Sequence, residues 1–235
     1  MLKLRSDIKV ELMGQYGTDL DIARAAWVSS GNDDTDPDPK RVNGVLKALM
    51  RDLHSTPFET GYFQFRTEAP RAVRDEMVRH RNLSFSAASL RYTADSGTYY
   101  IPPPERPLVK AEGFKQIQPK YEPMKSEEYV VYKQLLTKAY EHTEETLEFM
   151  RSMHLSETEM TRWITHDGTY TSWIARCTPR ALMGFLSLRT HEPDAKNPSY
   201  PMWEIEQVAR QMEAHFADKL PLTYAHWNTF GRVAL

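Results

Sequence analysis

Strand-like and helix-like patterns follow one another in this chain without a regular alternation, and this order limits the possible folds more than any other feature. Ile8, Val10 and Leu12 alternate with charged residues, which predicts a short strand. Phe63 and Phe65 begin a second, half-buried strand. Elsewhere the apolar residues follow helical spacing. The mixture favours an α+β fold, with mixed helices and an antiparallel-rich sheet, over a doubly wound parallel sheet.

The helical patterns differ in how their charges are placed. Apolar helix faces are predicted over 22–28, 42–53, 132–150 and 205–216. Residues 181–188 are strongly apolar and flanked by Arg180 and Arg189, which predicts a buried helix with a cation at each end. Residues 70–81 predict a helix that opens with proline and ends with three basic residues. Loops or irregular connections are expected over 29–40, 82–97 and 101–123.

The composition argues against several classes of protein. The chain has 235 residues, which fits a single domain over 1–235, and its 40% apolar and 26% charged residues are typical of globular proteins. A net charge of −2 argues against a nucleic-acid binder. No apolar run reaches the length of a membrane span or a signal peptide, so neither is expected. The one cysteine, Cys177, excludes an intramolecular disulfide and suits a reducing cytoplasm.

Several common binding and catalytic motifs are missing from the sequence. The ten glycines give neither G-x-G-x-x-G nor a phosphate-binding loop. There is no H-E-x-x-H, and none of the eight histidines follows a glutamate by three residues, so no metal site is predicted. Cys177 could act as a nucleophile, but a lone cysteine is more often a buried apolar residue.

The segment 77–93 concentrates positive charge in a slightly acidic chain. It holds Arg79, Arg81 and Arg91, three serines and no carboxylate. Arginine forks and hydroxyl groups match the oxygens of phosphate. A pocket for a phosphorylated small molecule and a surface patch paired with the acidic loop at 29–40 explain this charge equally well.

The same segment resembles the signature of the flavin-dependent thymidylate synthases, the ThyX family, which reads R-H-R-x-x-S-x-x-x-x-S-x-R. The six matching positions are Arg79, His80, Arg81, Ser84, Ser89 and Arg91. The resemblance runs from about residue 20 to the C-terminus. Further segments similar to the family are 54–59, 69–70, 168–171, 180–189, 204–205 and 221–223.

The resemblance implies an α+β fold, a homotetramer with active sites at subunit interfaces, and flavin adenine dinucleotide (FAD) as cofactor. In the family, NADPH reduces the flavin and methylenetetrahydrofolate supplies a one-carbon unit. The flavin then relays hydride and carbon to C5 of a uracil nucleotide. The cofactors carry the difficult chemistry, while the protein supplies position and charge. The family uses no cysteine nucleophile, in agreement with a structural Cys177.

The resemblance also assigns roles to individual residues. Cofactor-binding positions are Ser29, His54, Thr56, Arg79, His80, Arg81, Asn82, Thr178, Arg180 and Gly184. Nucleotide-binding positions are Glu76, Arg79, Ala87, Ser89, Leu90, Arg91, Arg162 and Arg189. Arg189 and Ser89 are the expected catalytic residues. Arg189 would favour the N3-ionised uracil ring, because a nearby cation stabilises the anion. By charge placement alone, Arg189 is a cation at a helix C-terminus.

The chain departs from the family pattern around the nucleotide. Ser86-Ala87 stands where the family usually has Asn-Glu, and Thr165-His166 stands where it commonly has Leu-Pro. Thr178-Pro179 replaces a segment that begins with asparagine, and Trp27 replaces an arginine. Neutral drift explains these changes as well as a changed nucleotide does, although the losses cluster around the sugar.

Three functions follow from these observations. The first is an ordinary thymidylate synthase that methylates dUMP. The second accepts UMP, for a specialised nucleoside pathway such as antibiotic biosynthesis, as a polyoxin-type UMP methylase of this family does. The third is an inactive flavin- or nucleotide-binding homologue, which the intact arginines disfavour.

Overall fold

The computed structural model describes residues 2–31, 37–89, 97–109, 121–123, 125–155 and 158–235. Its helices are α1 (Asp19–Ser30), α2 (Pro39–Arg51), α3 (Arg71–Met77), α4 (Ser126–Ser152), α5 (Thr158–Thr161), α6 (Pro179–Arg189), α7 (Trp203–Lys219) and α8 (Pro221–Thr229). Its strands are β1 (Lys3–Arg5), β2 (Lys9–Tyr16), β3 (Tyr62–Pro70), β4 (Ser84–Ala87), β5 (Thr98–Tyr100), β6 (Pro107–Val109), β7 (Tyr121–Pro123) and β8 (Tyr170–Cys177). The expected α+β fold with an antiparallel sheet is confirmed.

The chain divides into two compact units. The first comprises Met1–Ile8, Glu68–Met77 and Ala87–Trp173, and the second comprises Lys9–Thr67, Val78–Ser86 and Ile174–Leu235. The single domain expected over 1–235 stays a prediction.

The first unit is organised around the long helix α4. Strand β1 runs parallel to β5, and β6 pairs antiparallel with β7. Tyr140 of α4 stacks on Tyr99 with ring centroids 4.5 Å apart. The Tyr140 hydroxyl donates a hydrogen bond to the carbonyl of Tyr100 at 2.8 Å, so the buried phenol has a partner. A Cβ at Gly168 would overlap this hydroxyl, so the turn before β8 requires glycine.

The second unit contains β2 and parts of β3, β8 and β4, whose order in the four-stranded sheet is β2-β3-β8-β4. Phe63 and Phe65 of β3 are fully buried, and Phe63 meets Phe216 of α7 edge-on at 6.1 Å. Each side chain of this size contributes about 1.5–3 kcal/mol when it is fully buried. The predicted face of α7 is confirmed, since it buries Ile205, Val208, Met212 and Phe216.

The predicted helix over 70–81 is wrong at its C-terminal end. Helix α3 ends at Met77, so the basic triplet Arg79-His80-Arg81 follows it in a turn. The backbone N–H of Leu83 closes this turn by donating to the carbonyl of His80 at 3.0 Å. The His80 ring packs edge-on against Phe185 with centroids 4.9 Å apart. This tertiary contact outweighs the local preference of three cations for the end of a helix.

Other expectations also need correction. The predicted loop over 82–97 contains strand β4, because pairing with the distant strand β8 supplies hydrogen bonds that local sequence does not reveal. The predicted irregular connection over 101–123 contains β6 and β7, which pair with each other. Leu53, expected on the buried face of α2, lies beyond the helix end with a φ of 56° and is 55% exposed. Helix α8, which begins at Pro221, was not predicted.

Residues 32–36 of the predicted acidic loop lie outside the described part of the chain. Across the described ranges, none of the helices combines the length and the apolar character that crossing a bilayer requires.

Candidate active site

Helix α6 carries three of the predicted site residues along its length. The Thr178 hydroxyl caps its N-terminus by accepting a hydrogen bond from the backbone N–H of Ala181 at 3.2 Å, and Pro179 fills the first turn. The helix buries Ala181, Leu182, Met183, Phe185 and Leu186. With this apolar face fixed in the second unit, Arg180, Gly184 and Arg189 occupy the start, middle and end of one rigid element.

Arg189 and His80, which the sequence predicted for nucleotide and flavin, lie in direct contact. The Nε of Arg189 donates a hydrogen bond to Nε2 of His80 at 3.0 Å. Only a neutral imidazole can accept at Nε2, so its proton is on Nδ1. Burial, and then the charge of Arg189, lower the pKa of His80 from 6.5 to about 4. Since Phe185 packs against the ring, His80 holds the guanidinium from a fixed position.

Arg180 forms two contacts at the other end of α6. Its Nη1 pairs with the carboxylate of Glu59, and its Nε donates to the carbonyl of Leu235 at 2.8 Å. Glu59 ends the 3-10 turn Thr56–Glu59, so the pair ties this turn, which includes the predicted cofactor residue Thr56, to α6. Glu59 was not among the predicted site residues, although it lies in the segment 54–59 that resembles the family.

Gly184 provides the test of whether α6 could lie against a flat cofactor. Apart from the neighbouring residues and the adjacent backbone of α6 itself, no heavy atom of the described residues lies within 4 Å of the position that a Cβ at Gly184 would occupy. Glycine in the middle of a helix costs about 0.5–1 kcal/mol relative to alanine. A helix that accepts this cost beside open space fits close approach of a planar group to its backbone. The residues present therefore fit a flavin.

The remaining predicted cofactor residues of the second unit are on its surface. Those with exposed side chains are Ser29, His54, Thr56, Arg79, Arg81 and Asn82. The Ser29 hydroxyl donates to the carbonyl of Ala26 at 2.7 Å, at the end of α1. Arg79, Arg81 and Asn82 flank His80 in its turn, so the turn presents two cations to solvent on either side of the partly buried ring.

The predicted nucleotide residues of the first unit occupy three places. Glu76 is partly buried on α3, Ala87 is exposed at the end of β4, and Ser89 is partly buried two residues later. The backbone N–H of Ala88 donates to the carbonyl of Ser172 at 2.9 Å, which fixes the chain between Ala87 and Ser89. Arg162 is exposed just after α5. Leu90 and Arg91 lie outside the described residues.

Cys177 has the environment of a structural residue. Its side chain is buried at the end of β8, and this burial raises the pKa of the thiol to about 12. A thiol with this pKa is protonated at neutral pH and is a poor nucleophile. Within the described part of the chain, no group of three or more His, Cys, Asp or Glu side chains is arranged to hold a metal ion.

Known proteins match the chain over nearly its whole length. The chain is 37% identical over 239 residues to the flavin-dependent thymidylate synthase of Streptomyces coelicolor, covering 99% of this chain and 96% of the relative. It is 33% identical to the flavin-dependent thymidylate synthase of Tropheryma whipplei, covering 97% and 95% of the two chains.

Solved structures match over the full chain. The crystal structure of the UMP/dUMP methylase PolB from Streptomyces cacaoi bound with 5-Br dUMP superposes with a TM-score of 0.92, at 36% identity and complete coverage of both chains. The structure of PolB bound with 5-Br UMP gives a TM-score of 0.91 at 35% identity, covering 100% of this chain and 99% of PolB. The family model described as thymidylate synthase complementing protein, Thy1, matches residues 11–222. The resemblance seen in the sequence is confirmed, and the chain belongs to the Thy1 family of thymidylate synthase complementing proteins.

Proposed function

We propose that this protein is a flavin-dependent methylase that transfers a one-carbon unit to C5 of uracil nucleotides and accepts UMP as well as dUMP. The observation that carries the proposal is the contact between Arg189 and neutral His80 at the end of α6, because it places a fixed cation beside a residue predicted to bind flavin. The relatives are named flavin-dependent thymidylate synthases, and PolB is named a UMP/dUMP methylase. An inactive homologue is disfavoured because the arginines expected to bind flavin and nucleotide are all present in the sequence: Arg79, Arg81, Arg91, Arg162, Arg180 and Arg189.

The cofactor would be FAD, held by the second unit. Its binding residues would be Ser29, His54, Thr56, Arg79, His80, Arg81, Asn82, Thr178, Arg180 and Gly184. The open side of α6 at Gly184 admits a flat ring, and the arginines supply donors for the phosphate groups. When bound, the flavin supplies the hydride and carries the one-carbon unit to C5. NADPH and methylenetetrahydrofolate would be the reductant and the carbon donor.

Arg189 would act on the uracil ring itself. A cation close to N3–H favours the deprotonated ring, which is a better carbon nucleophile at C5. The guanidinium has five N–H donors, and the hydrogen bond from Nε to His80 uses one of them and fixes its plane. Protonated His80 could not accept this bond and would repel Arg189. Its lowered pKa therefore keeps the contact intact at neutral pH.

The residues that would bind the nucleotide are Glu76, Ala87, Ser89, Leu90, Arg91 and Arg162 of the first unit, and Arg79 and Arg189 of the second. Arg91 and Arg162 would contact the phosphate, since arginine binds phosphate oxygens through paired N–H donors. Glu76, Ser89 and Leu90 would line the nucleoside, with Ser89 close to the reacting ring. Ala87 would lie on the sugar side, where its small side chain leaves room for a 2′-hydroxyl.

The active protein would be a homotetramer with active sites at subunit interfaces. Large apolar side chains of the first unit are exposed, and Trp163 has 86% of its surface accessible. Helix α4 also has exposed apolar side chains, which include Val130, Val131, Leu135 and Phe149. Exposed apolar surfaces of this kind mark contacts with other chains, and a second copy of this chain would bury them. No nucleic-acid partner is proposed.

The decisive experiment is anaerobic incubation of the FAD-loaded protein with NADPH, methylenetetrahydrofolate and either UMP or dUMP, followed by mass spectrometry of the nucleotide. We expect a product heavier by one methylene from each nucleotide, and none when NADPH is omitted. A product from dUMP alone would identify an ordinary thymidylate synthase. No product from either nucleotide, from protein that binds flavin, would identify an inactive homologue.

A further inference from the structure

The residue that follows Arg189 is held by an arginine from the far end of the chain. Thr190 ends α6: its backbone N–H and its hydroxyl both donate to the carbonyl of Leu186, at 3.0 and 2.7 Å. The Thr190 hydroxyl oxygen accepts a hydrogen bond from Nη2 of Arg232 at 2.9 Å. Thr190 is the C-cap residue that follows the last helical residue, Arg189. Helix ends fray readily, so a charged donor bound to this C-cap fixes the final turn of α6.

Arg232 is buried, and its charge is compensated within the second unit. Its side chain is 8% exposed and forms an ion pair through Nη1 with Oε1 of Glu213 at 2.6 Å. The same Nη1 donates to Oδ1 of Asn228 at 2.7 Å, and the guanidinium lies over the Trp227 ring at 4.3 Å. Partners on α7 and α8 therefore fix the guanidinium that contacts Thr190.

The backbone at Arg232 adopts a conformation that is uncommon for a residue with a Cβ. Its φ is 55°, directly after Gly231 with a φ of 85°. The backbone N–H of Arg232 donates to the carbonyl of Trp227 at 2.9 Å, which fixes this turn. The strained turn aims the side chain back at α6, and conformations of this kind often serve a functional site.

A second arginine holds the next two residues of the chain. Nη2 of Arg210 donates to the carbonyl of His191 at 2.8 Å, and its Nη1 forms an ion pair with Glu192. The same Nη1 lies 3.2 Å from Oε2 of Glu213, so Arg210 and Arg232 share one carboxylate. The segment directly after Arg189 is thus fastened to α7 through Arg210 and also through Glu206, whose carboxylate accepts the backbone N–H of His191 at 2.9 Å.

We propose that Arg232, acting through Thr190, is a positioning residue for Arg189. The inference rests on the proposed action of Arg189 on the uracil ring. Arg189 is held on one side by His80 and is followed in the chain by a residue that Arg232 fixes. The two contacts set the position of the guanidinium and the end of the helix that carries it. A displacement of about 1 Å of a catalytic group can lower the rate roughly 100-fold.

The test is Thr190→Val, which removes the hydroxyl and keeps the shape of the side chain. We expect kcat of the FAD-loaded enzyme to fall roughly 10- to 100-fold, with KM for the nucleotide and flavin content within about twofold of the parent. The matched control is Thr143→Val on α4. This buried threonine also donates to a carbonyl four residues earlier, at 3.0 Å, but lies in the other unit. We expect the control to retain parental kcat.

A double-mutant cycle separates positioning from general damage. In an Arg189→Lys background, Thr190→Val should have little further effect on kcat, because it acts through the guanidinium that is already absent. An equal loss in both backgrounds, or parental kcat in Thr190→Val alone, would overturn the proposal. Arg232→Lys, which keeps a cation near Glu213 but not the paired donors, should lower kcat in the same direction as Thr190→Val.

A readout without turnover distinguishes failure of this inference from failure of the proposed function. The ultraviolet absorbance of bound 5-bromo-UMP reports ionisation at N3 as pH rises. We expect Thr190→Val to raise the apparent pKa of N3 in the complex and Thr143→Val to leave it unchanged. An unshifted pKa in Thr190→Val would overturn the inference even if the parent is active. If the parent lowers the pKa of N3 in bound 5-bromo-UMP relative to the free nucleotide but makes no methylated product, the proposed function alone is contradicted.

Discussion

Arg189 donates a hydrogen bond from its Nε to Nε2 of His80 across 3.0 Å, so the last residue of α6 is joined to the basic turn that follows α3. The two residues are 109 positions apart in the chain. The contact requires a neutral imidazole, and burial of the ring followed by the charge of Arg189 keeps the pKa of His80 at about 4. Histidine here serves as a hydrogen-bond acceptor for a cation and does not contribute a positive charge of its own.

The lowered pKa of His80 predicts a stability change in a defined pH window. Between pH 6.5 and about 4, the unfolded chain binds a proton at this histidine while the folded chain does not. The free energy of unfolding therefore falls as pH falls through this window. In His80→Gln this titration is absent. The difference in unfolding free energy between parent and variant, measured by urea denaturation, should shrink from pH 6.5 to 4.

The control for this pH prediction is a second substitution that also removes the imidazole, His80→Asn. We expect it to give the same dependence of unfolding free energy on pH as His80→Gln. Parallel curves for the parent and His80→Gln would show that His80 is not held neutral by its surroundings.

The proposed action of Arg189 predicts a loss of turnover without a loss of cofactor. Arg189→Ala should retain FAD but reduce kcat by about 10²–10³-fold, the usual cost of removing one electrostatic donor from a transition state. Arg51→Ala removes an exposed arginine at the end of α2 that pairs with Asp52, and it should retain parental kcat. Steady-state kinetics and flavin absorbance measure the two effects. Near-parental turnover of Arg189→Ala would leave Arg189 as a cation at a helix C-terminus.

Gly184 predicts opposite changes in stability and in cofactor affinity. Replacing it with alanine should raise the free energy of unfolding of the flavin-free protein by about 0.5–1 kcal/mol, because the helix gains a better former and the space is open. The added methyl group would occupy the surface proposed for the flavin. Overpacking costs about 1–3 kcal/mol, so the affinity for FAD should fall roughly 5- to 150-fold.

Gly44 of α2 supplies the matched control for this pair of effects. It is exposed, and no heavy atom of the described residues would lie within 4 Å of a Cβ at this position. Gly44→Ala should raise stability by a similar amount and leave FAD affinity unchanged. Fluorescence titration with FAD decides the matter, and unchanged affinity in Gly184→Ala would place the flavin elsewhere.

The sequence predicted the elements in which apolar residues recur with the period of a strand or of a helix. Phe63 and Phe65 of β3, and Ile205 and Phe216 of α7, are buried as their spacing requires. Strand β4 could not be predicted, because its hydrogen bonds come from other strands and its serines favour loops.

The candidate site was predicted as a set of residues but not as a set of contacts. The R-H-R triplet indicated His80, and the apolar segment at 180–189 indicated Arg189. Nothing in the sequence shows that these two side chains meet, because the turn after Met77 depends on His80 packing against Phe185. Glu59 and Arg232 were missed for the same reason, since each acts through a partner more than 40 positions away.

The sugar preference gives the last prediction, and it rests on Ala87. Backbone pairing of Ala88 with Ser172 fixes this end of β4, so a substitution at Ala87 changes the side chain more than the fold. Ala87→Glu adds bulk and a negative charge where a 2′-hydroxyl would lie, and a buried hydroxyl without a partner costs about 1–3 kcal/mol.

The parent should use UMP and dUMP with comparable kcat/KM. In Ala87→Glu, the ratio of kcat/KM for the two nucleotides should shift roughly 5- to 150-fold towards dUMP. Ala87→Ser is the control: it keeps the side chain small and uncharged, so it should leave the ratio within about twofold of the parent. Parental preference for dUMP above about 150-fold exceeds the usual cost of one unpaired hydroxyl, and would mean that another contact excludes ribose.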